Sequence, residues 1–258
     1  MHQQQYGNLD GPLMLFIHGG GVSGWMWDEQ IRHFSPHYHC VVPDLPEHGQ
    51  SLGDAPFSIR ASAEYLLQRI EAIGAGKTVI IIGFSLGAQI AVQMVSMRPD
   101  LIDYAIINSA LVIPMPSMKR WIPLSVRLTF PLIRNRSFSK LQAKQLYLSS
   151  NHLNNYYEES CRMKPDSLVR ILEENMSFEL PAGFHKAQSK LLVTVGEKEK
   201  SVMQKSVALL VRGNTGCIGV VIPDIGHGVS LAKPAYFNQM IERWLDNGQV
   251  PHDSQLIT

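Results

Sequence analysis

Short apolar runs rich in β-branched residues alternate along this 258-residue chain with segments of helical spacing. A strand covered on both faces is apolar throughout, so each run predicts a buried parallel strand. The alternation predicts an α/β fold, a mostly parallel, doubly wound sheet flanked by helices, with a ligand site beyond the carboxyl ends of its strands. The predicted strands are residues 13–18, 39–44, 78–84, 104–108, 191–196 and 217–223, and the predicted helices are residues 59–73, 86–97, 202–211 and 235–245.

The alternation stops between about Leu111 and Ser189, where prolines interrupt helical stretches and aromatic side chains are mixed with basic ones. We interpret this region as a helical cap inserted over the carboxyl edge of the sheet. Residues 1–258 are therefore predicted to form one domain, with a core of residues 1–111 and 189–247 and a cap of approximately residues 112–188. The tail from Gly248 is predicted to be unstructured.

One predicted strand runs through Gly83, Phe84, Ser85, Leu86 and Gly87 directly into a helix. A nucleophile on such a sharp turn projects its hydroxyl away from the backbone, and small residues on both sides let strand and helix approach. The helix N-terminus then lies beneath the reacting oxygen, where its amides favour negative charge. Ser85 is therefore predicted to be a catalytic nucleophile, and the alternative is a purely structural turn.

A glycine run, Gly19-Gly20-Gly21, follows the first long apolar run. Glycine permits close backbone approach, so an amide in this loop can point at a negatively charged oxygen. We predict an oxyanion hole formed by the amides of Gly20 and Leu86. The alternative is a phosphate-binding loop, but the sequence contains neither the GxGxxG nor the GxxxxGK[ST] pattern.

A serine hydroxyl needs a base that removes its proton, and the base must be held in one tautomer. Among ten histidines, His227 lies between the last predicted strand and the last predicted helix, where a loop can bring it to Ser85. Just past the fifth predicted strand, Glu199 is the preferred acid and Glu197 its competitor. The alternative is that both glutamates are solvated loop residues. The order serine, acid, histidine is that of elbow-type hydrolases.

Motifs at the strand ends follow one another in a definite order: His18-Gly19-Gly20 with Trp25 and Trp27, Asp44-Leu45-Pro46-Glu47-His48-Gly49-Gln50-Ser51, the turn at Ser85, Gly196-Glu197-Lys198-Glu199, and Gly226-His227. Together they resemble the α/β-hydrolase superfamily, specifically its compact, cap-bearing serine hydrolases. The resemblance covers nearly the whole chain. It implies the α/β-hydrolase fold, a triad of Ser85, His227 and Glu199, and oxyanion positions at Gly20 and Leu86.

The chain departs from the family pattern at two positions. Glutamate occupies the acid position where aspartate is usual, and Glu47 lies where the turn usually carries glycine. Glu47 is either a neutral substitution or a residue that takes part in gating or substrate discrimination. The expected pocket-lining residues are His18, Gly21, Trp25, Glu47 and Trp121.

The charge balance and the cysteines narrow the choice of partners. With 23 Lys and Arg against 22 Asp and Glu, the net charge of +1 creates no overall field that gathers nucleic acid or an anionic membrane. Three cysteines without a CxxC pair and an N-terminus unlike a secretion signal favour a cytoplasmic protein. No apolar run is long enough to predict a membrane span.

The expected activity is that of a carboxylesterase-like enzyme, which cleaves a small carboxylic ester or related acyl substrate through an acyl-enzyme on Ser85. No metal or organic cofactor is expected. Basic residues of the cap are candidates to clamp a substrate carboxylate, unless they form only a solvated face. The alternatives are a cofactor-free lyase acting on a carboxylated metabolite and a non-catalytic small-molecule receptor. These basic residues are Lys119, Arg120, Arg127, Arg134, Arg136, Lys140, Lys144, Arg162, Lys164 and Arg170.

Overall fold

A computed structural model describes residues 1–53 and 55–257 of the chain. In these residues eight strands form one sheet in the order β1-β3-β2-β4-β5-β6-β7-β8. The inner strands run parallel, whereas β1 pairs antiparallel with β3 and β8 pairs antiparallel with β7. The strands are β1 (Gln3–Gly7), β2 (Leu13–Ile17), β3 (His39–Pro43), β4 (Val79–Phe84), β5 (Tyr104–Asn108), β6 (Lys190–Gly196), β7 (Cys217–Ile222) and β8 (Gln255–Ile257).

Helices cover both faces of this sheet, and short 3₁₀ turns occur at Gly24–Trp27, Gly49–Ser51, Phe130–Arg134 and Ala182–Lys186. No helix in the described residues is long and apolar enough to cross a membrane. The α-helices are α1 (Asp28–Phe34), α2 (Ile59–Ile73), α3 (Leu86–Met97), α4 (Pro116–Lys119), α5 (Ile122–Thr129), α6 (Arg136–Gln145), α7 (Ser150–Arg162), α8 (Pro165–Ser177), α9 (Ser201–Gly213), α10 (Val229–Ala232) and α11 (Pro234–Asn247).

The two faces of the sheet have separate apolar cores, which explains why the inner strands are apolar throughout. Along β2, Leu13, Leu15 and Ile17 enter the core built with α2, α3 and α9. The intervening Met14 and Phe16 enter the opposite core, built with α1 and α11. Successive side chains of a strand point to opposite faces, so both sets must be apolar. The predicted doubly wound, mostly parallel α/β sheet is confirmed.

Sequence reasoning missed the two edge strands. Gln3–Gly7 is polar and largely exposed, and Gln255–Ile257 is likewise mostly exposed, so neither carries the apolar signature of an inner strand. An edge strand gains backbone hydrogen bonds from one neighbour only and need not be buried on either face. The prediction of an unstructured tail is wrong for residues 255–257, which extend the sheet beyond β7.

The inserted helices α4–α8 lie between β5 and β6 and are tied to the core by polar contacts. Arg170 of α8 forms an ion pair with Glu47, with Nε to Oε2 at 3.1 Å. Glu159 of α7 accepts hydrogen bonds from Trp25 Nε1 at 3.0 Å and Ser23 Oγ at 2.8 Å. These contacts hold α7 and α8 against the loops that follow β2 and β3.

Candidate active site

Ser85 occupies the sharp turn between β4 and α3. Its backbone has φ 53° and ψ −111°, an unfavourable conformation for a non-glycine residue, and its N–H donates to Asn108 O at 2.9 Å. A Cβ on Gly83 would clash with Gly87 O, and a Cβ on Gly87 would clash with Ile17 O. Both glycines are therefore required by the close approach of α3 to the sheet.

His227 connects Ser85 to a carboxylate. His227 Nε2 lies 2.9 Å from Ser85 Oγ, and His227 Nδ1 lies 2.7 Å from Glu199 Oε2. The carboxylate can only accept, so Nδ1 carries the proton and Nε2 is free to accept the serine proton. The Glu199 side chain is 2% exposed, whereas the imidazole is 35% exposed. The arrangement can activate the hydroxyl of Ser85 at the surface of a cavity.

Glu199 is held by two further hydrogen bonds to its other oxygen. Glu199 Oε1 accepts from Ser109 Oγ at 2.7 Å and from the N–H of Gly196 at 2.9 Å. Burial raises the pKa of Glu199, but the hydrogen bond and charge of His227, together with these two donors, hold the pKa below its usual value. The carboxylate is therefore ionised at neutral pH.

Sequence reasoning missed Ser109, which follows the carboxyl end of β5 with φ 59°. The available signal was a polar residue at the end of a strand neighbouring β6. Glu197, the competing acid, is exposed and accepts a hydrogen bond from the N–H of Asp224 at 2.9 Å. Its carboxylate therefore lies in a surface turn.

The two candidate oxyanion residues lie side by side. A Cβ on Gly20 would contact the Leu86 side chain, at 3.6 Å from Cδ2. Leu86 is the first residue of α3, so its N–H has no acceptor one turn earlier in the helix. The loop that follows β2 thus lies against the residue after Ser85, where amides can stabilise a negative oxygen.

Ser85 opens into a cavity of about 390 Å³. Methionines from the inserted helices and from α9 form much of its apolar wall. Methionine side chains are unbranched and flexible, so such a wall adapts to acyl chains of different shape. The lining residues are Ser85, Ser109, Leu111, Met115, Met118, Asn175, Met176, Lys198, Glu199, Lys200, Val202, Met203 and His227.

Comparison with known families decides the classification of the chain. The family model described as alpha/beta hydrolase fold matches residues 12–234. The chain belongs to this alpha/beta hydrolase family. An AB hydrolase superfamily protein of Gibberella zeae is 33% identical over 102 residues, which are 39% of this chain and 36% of that relative.

Two longer matches cover nearly the whole hydrolase chain. The (E)-2-((N-methylformamido)methylene)succinate hydrolase of Acinetobacter baylyi is 24% identical over 253 residues, covering 92% of this chain and 91% of the relative. The solved structure of an esterase from Exiguobacterium antarcticum superposes with a TM-score of 0.79 at 15% identity, covering 95% of each chain. At that identity the structural match establishes the fold alone.

In this alpha/beta hydrolase the five predicted pocket-lining residues lie outside the Ser85 cavity. His18 is fully buried: the N–H of Leu45 donates to its Nε2 at 2.9 Å, and its Nδ1 donates to Gly19 O at 2.7 Å. Burial lowers the pKa of His18 to about 4, so the ring is neutral and joins two loops beneath the site.

The remaining four predicted lining residues have structural or peripheral positions. The Glu47 carboxylate is buried against α8, and Trp25 donates to Glu159. Gly21 turns the chain with φ +77°. Trp121 is 57% exposed and lines a separate groove between α5 and α8. Their positions depend on how the inserted helices dock on the core, which local sequence does not specify.

The residues predicted to clamp a substrate carboxylate also lie away from the Ser85 cavity. Among the described residues, none of the ten basic residues between Lys119 and Arg170 lines the Ser85 cavity. Arg170 forms an ion pair with Glu47 instead. The basic side chains that do line it are Lys198 and Lys200, from the loop after β6. Lys198 Nζ lies 3.4 Å from Asp224 Oδ1, at the solvent edge. The basic residues that line the cavity therefore belong to the core and not to the inserted helices.

Proposed function

We propose that this protein is a serine hydrolase that cleaves a small carboxylic ester or related acyl substrate. Ser85 acts as nucleophile, His227 as general base and Glu199 as the triad acid. The observation that carries the proposal is the continuous hydrogen-bonded chain from Ser85 Oγ through His227 to Glu199, at 2.9 and 2.7 Å. A base oriented by a carboxylate in this way removes the proton of a serine hydroxyl and makes it a nucleophile.

The reaction proceeds in two halves. Ser85 Oγ attacks the acyl carbon while His227 Nε2 takes its proton, and the amides of Gly20 and Leu86 stabilise the oxyanion. His227 then protonates the leaving alcohol, which departs from the acyl-enzyme. In the second half His227 removes a proton from water, which attacks the acyl carbon and releases the carboxylic acid. The cycle needs no metal or organic cofactor.

The cavity supports an acyl group that is largely apolar, with a polar or acidic end near the loop after β6. Met115, Met118 and Met176 line the cavity together with Lys198 and Lys200 of the loop after β6. The Acinetobacter baylyi relative is named for a succinate derivative, which fits an acidic substrate. The lyase alternative depended on a basic cap, and those side chains do not line the cavity. Free thiols at Cys40, Cys161 and Cys217 support a site of action in the reducing cytoplasm.

A fluorophosphonate probe tests the nucleophile directly. The wild-type protein should become labelled on the peptide that contains Ser85, and Ser85→Ala should abolish both labelling and ester turnover. A panel of neutral and acidic esters of increasing chain length then defines the substrate class. Wild-type turnover by a folded Ser85→Ala protein would reject the proposal.

A further inference from the structure

Exposed apolar side chains are concentrated on the inserted helices. Trp121, Leu124 and Leu128 lie three and four positions apart, on one face at α5, and are 57%, 49% and 69% exposed. The buried Ile122 and Val126 lie on a different face of α5, which packs on α8. Packing of α5 on α8 therefore leaves this apolar face uncovered. With Met118 and Leu132, which are 43% and 45% exposed, these residues form the cap face.

The segment that carries the cap face is strongly basic. Residues 104–157 contain seven Lys and Arg and no acidic residue, so all 22 Asp and Glu of the chain lie elsewhere. All seven basic residues are exposed. Arg127 borders the apolar face on α5, and the Arg120 guanidinium lies 5.5 Å from the ring centroid of Trp121. The net charge of +1 is a sum over the whole chain and therefore does not show this local excess of positive charge.

The cap face adjoins the candidate active site. A groove of about 540 Å³ runs between α5 and α8 and is lined by Trp121, Ile122 and Val126. Met118 and Met176 line both this groove and the Ser85 cavity. An apolar surface therefore continues from the cap face to the nucleophile.

We propose that the cap face docks on an anionic lipid surface. Tryptophan and leucine side chains enter the boundary between headgroups and acyl chains, while flanking arginines and lysines contact lipid phosphates. Nucleic acid would match the charge but would leave the apolar face exposed to water. A second copy of the chain would bring two strongly basic segments together, and this repulsion opposes the contact. Delivery of substrate along the groove rests on the proposed hydrolase function, whereas docking itself does not.

Vesicle sedimentation with the full chain tests the docking. The protein should bind vesicles of phosphatidylcholine mixed with phosphatidylglycerol, bind vesicles of phosphatidylcholine alone much more weakly, and lose affinity as salt increases. The variants are Leu124→Ser with Leu128→Ser, and Arg120→Gln with Arg127→Gln. The matched controls are Leu209→Ser and Lys205→Gln, both at exposed positions on α9.

The arginine variant should bind mixed vesicles at least about tenfold more weakly, because each basic residue near an anionic surface contributes about fivefold in affinity. The leucine variant should also bind at least about tenfold more weakly, because two apolar side chains no longer enter the membrane interface. The controls should bind like the wild type, and all four variants should keep wild-type circular dichroism and turnover of a soluble short-chain ester. Equal binding to neutral vesicles, or wild-type binding by either cap-face variant, would overturn the proposal. The proposal would also be overturned if the wild type did not bind vesicles but formed a dimer in sedimentation velocity, and the leucine variant did not form that dimer. Binding by Ser85→Ala separates docking from catalysis.

Discussion

His227 contacts Glu199, although Glu197 lies only two residues earlier in the same loop. Nδ1 of the imidazole is 2.7 Å from Glu199 Oε2, whereas the carboxylate of Glu197 accepts the N–H of Asp224 in a surface turn. The chain turns back after β6, and the N–H of Glu199 donates to Gly196 O at 3.1 Å. This tight turn directs one glutamate inward and leaves the other in solvent.

Glu199→Gln should lower kcat by about three to four orders of magnitude, as loss of the triad carboxylate does in serine proteases. The glutamine amide can donate to Nδ1, which favours the tautomer that cannot accept the serine proton. Glu197→Gln is the matched control and should keep kcat within about twofold of the wild type, since exposed substitutions have small effects. Steady-state ester hydrolysis measures both variants. A larger loss in the Glu197 variant would assign the acid role to that residue.

Ser109→Ala should raise the pKa of Glu199 and slow turnover. The substitution removes one donor to Glu199 Oε1, so the pKa of Glu199 rises and the carboxylate is protonated at higher pH. Carbon-13 NMR of the Glu199 carboxyl should therefore show protonation at higher pH than in the wild type, and kcat should fall by about tenfold, near the effect of one charge-assisted hydrogen bond. Ser62→Ala, at a buried serine of α2, is the control and should change neither quantity. An unshifted Glu199 titration in Ser109→Ala would make the Ser109 contact purely structural.

Glu47→Gln should destabilise the protein without changing ester preference. The Glu47 carboxylate accepts from Ser167 Oγ, the N–H of Phe57 and the Arg170 guanidinium, and it ties α8 to the core. Loss of its charge at pH 7 should lower the free energy of unfolding by about 1–3 kcal/mol, measured by urea denaturation. Glu158→Gln, in an exposed pair with Arg162, should change it by less than about 0.5 kcal/mol.

The pH dependence of the same measurement has a definite sign. Burial raises the pKa of Glu47, but hydrogen bonds from Arg170, Phe57 and Ser167 and the charge of Arg170 hold it below the ordinary value of 4.5. A lowered pKa in the folded state gives stability that is present above the unfolded pKa and is lost as the pH falls through the folded one. The difference between wild type and Glu47→Gln should therefore shrink in acid. A changed preference between acidic and neutral esters would instead support substrate discrimination by Glu47.

Acid should also destabilise the fold through two buried histidines. Burial lowers the pKa of His18 to about 4. Burial, together with the charge of His18, lowers the pKa of His48 to about 3. Below the unfolded value of 6.5 the unfolded chain binds protons that the folded chain excludes, so the free energy of unfolding falls. Each histidine should contribute about 1.4 kcal/mol per pH unit between roughly pH 6 and 4.

Ring resonances in NMR spectra measure this protonation directly. His18 and His48 should remain neutral at pH 5, because His18 Nε2 accepts the N–H of Leu45 and both rings are almost fully buried. His48→Gln should reduce the slope of stability against pH, whereas His37→Gln, at an exposed position, should not. Protonation of both rings near pH 6 in the folded protein would contradict this account.

Local sequence was sufficient to predict the parallel sheet and the contact of His227 with Ser85 and Glu199. The inner strands are buried on both faces, so their uninterrupted apolar runs are visible without a structure. Gly83 and Gly87 flank Ser85 because no side chain fits where α3 approaches the sheet. His227 and Glu199 follow neighbouring strands, and the carboxyl ends of parallel strands meet at one edge. That rule made their meeting with Ser85 predictable.

Only the tertiary structure decided what surrounds these residues. Met118 and Met176 reach the cavity, and Arg170 finds Glu47 across 123 positions of sequence, because the inserted helices dock in one particular arrangement on the core. Helical periodicity predicts which face of a helix is apolar but not which partner covers it, or whether that face remains exposed, as at Leu124 and Leu128. These contacts are selected by the packing of the inserted helices on the core, and this selection leaves no local pattern in the sequence.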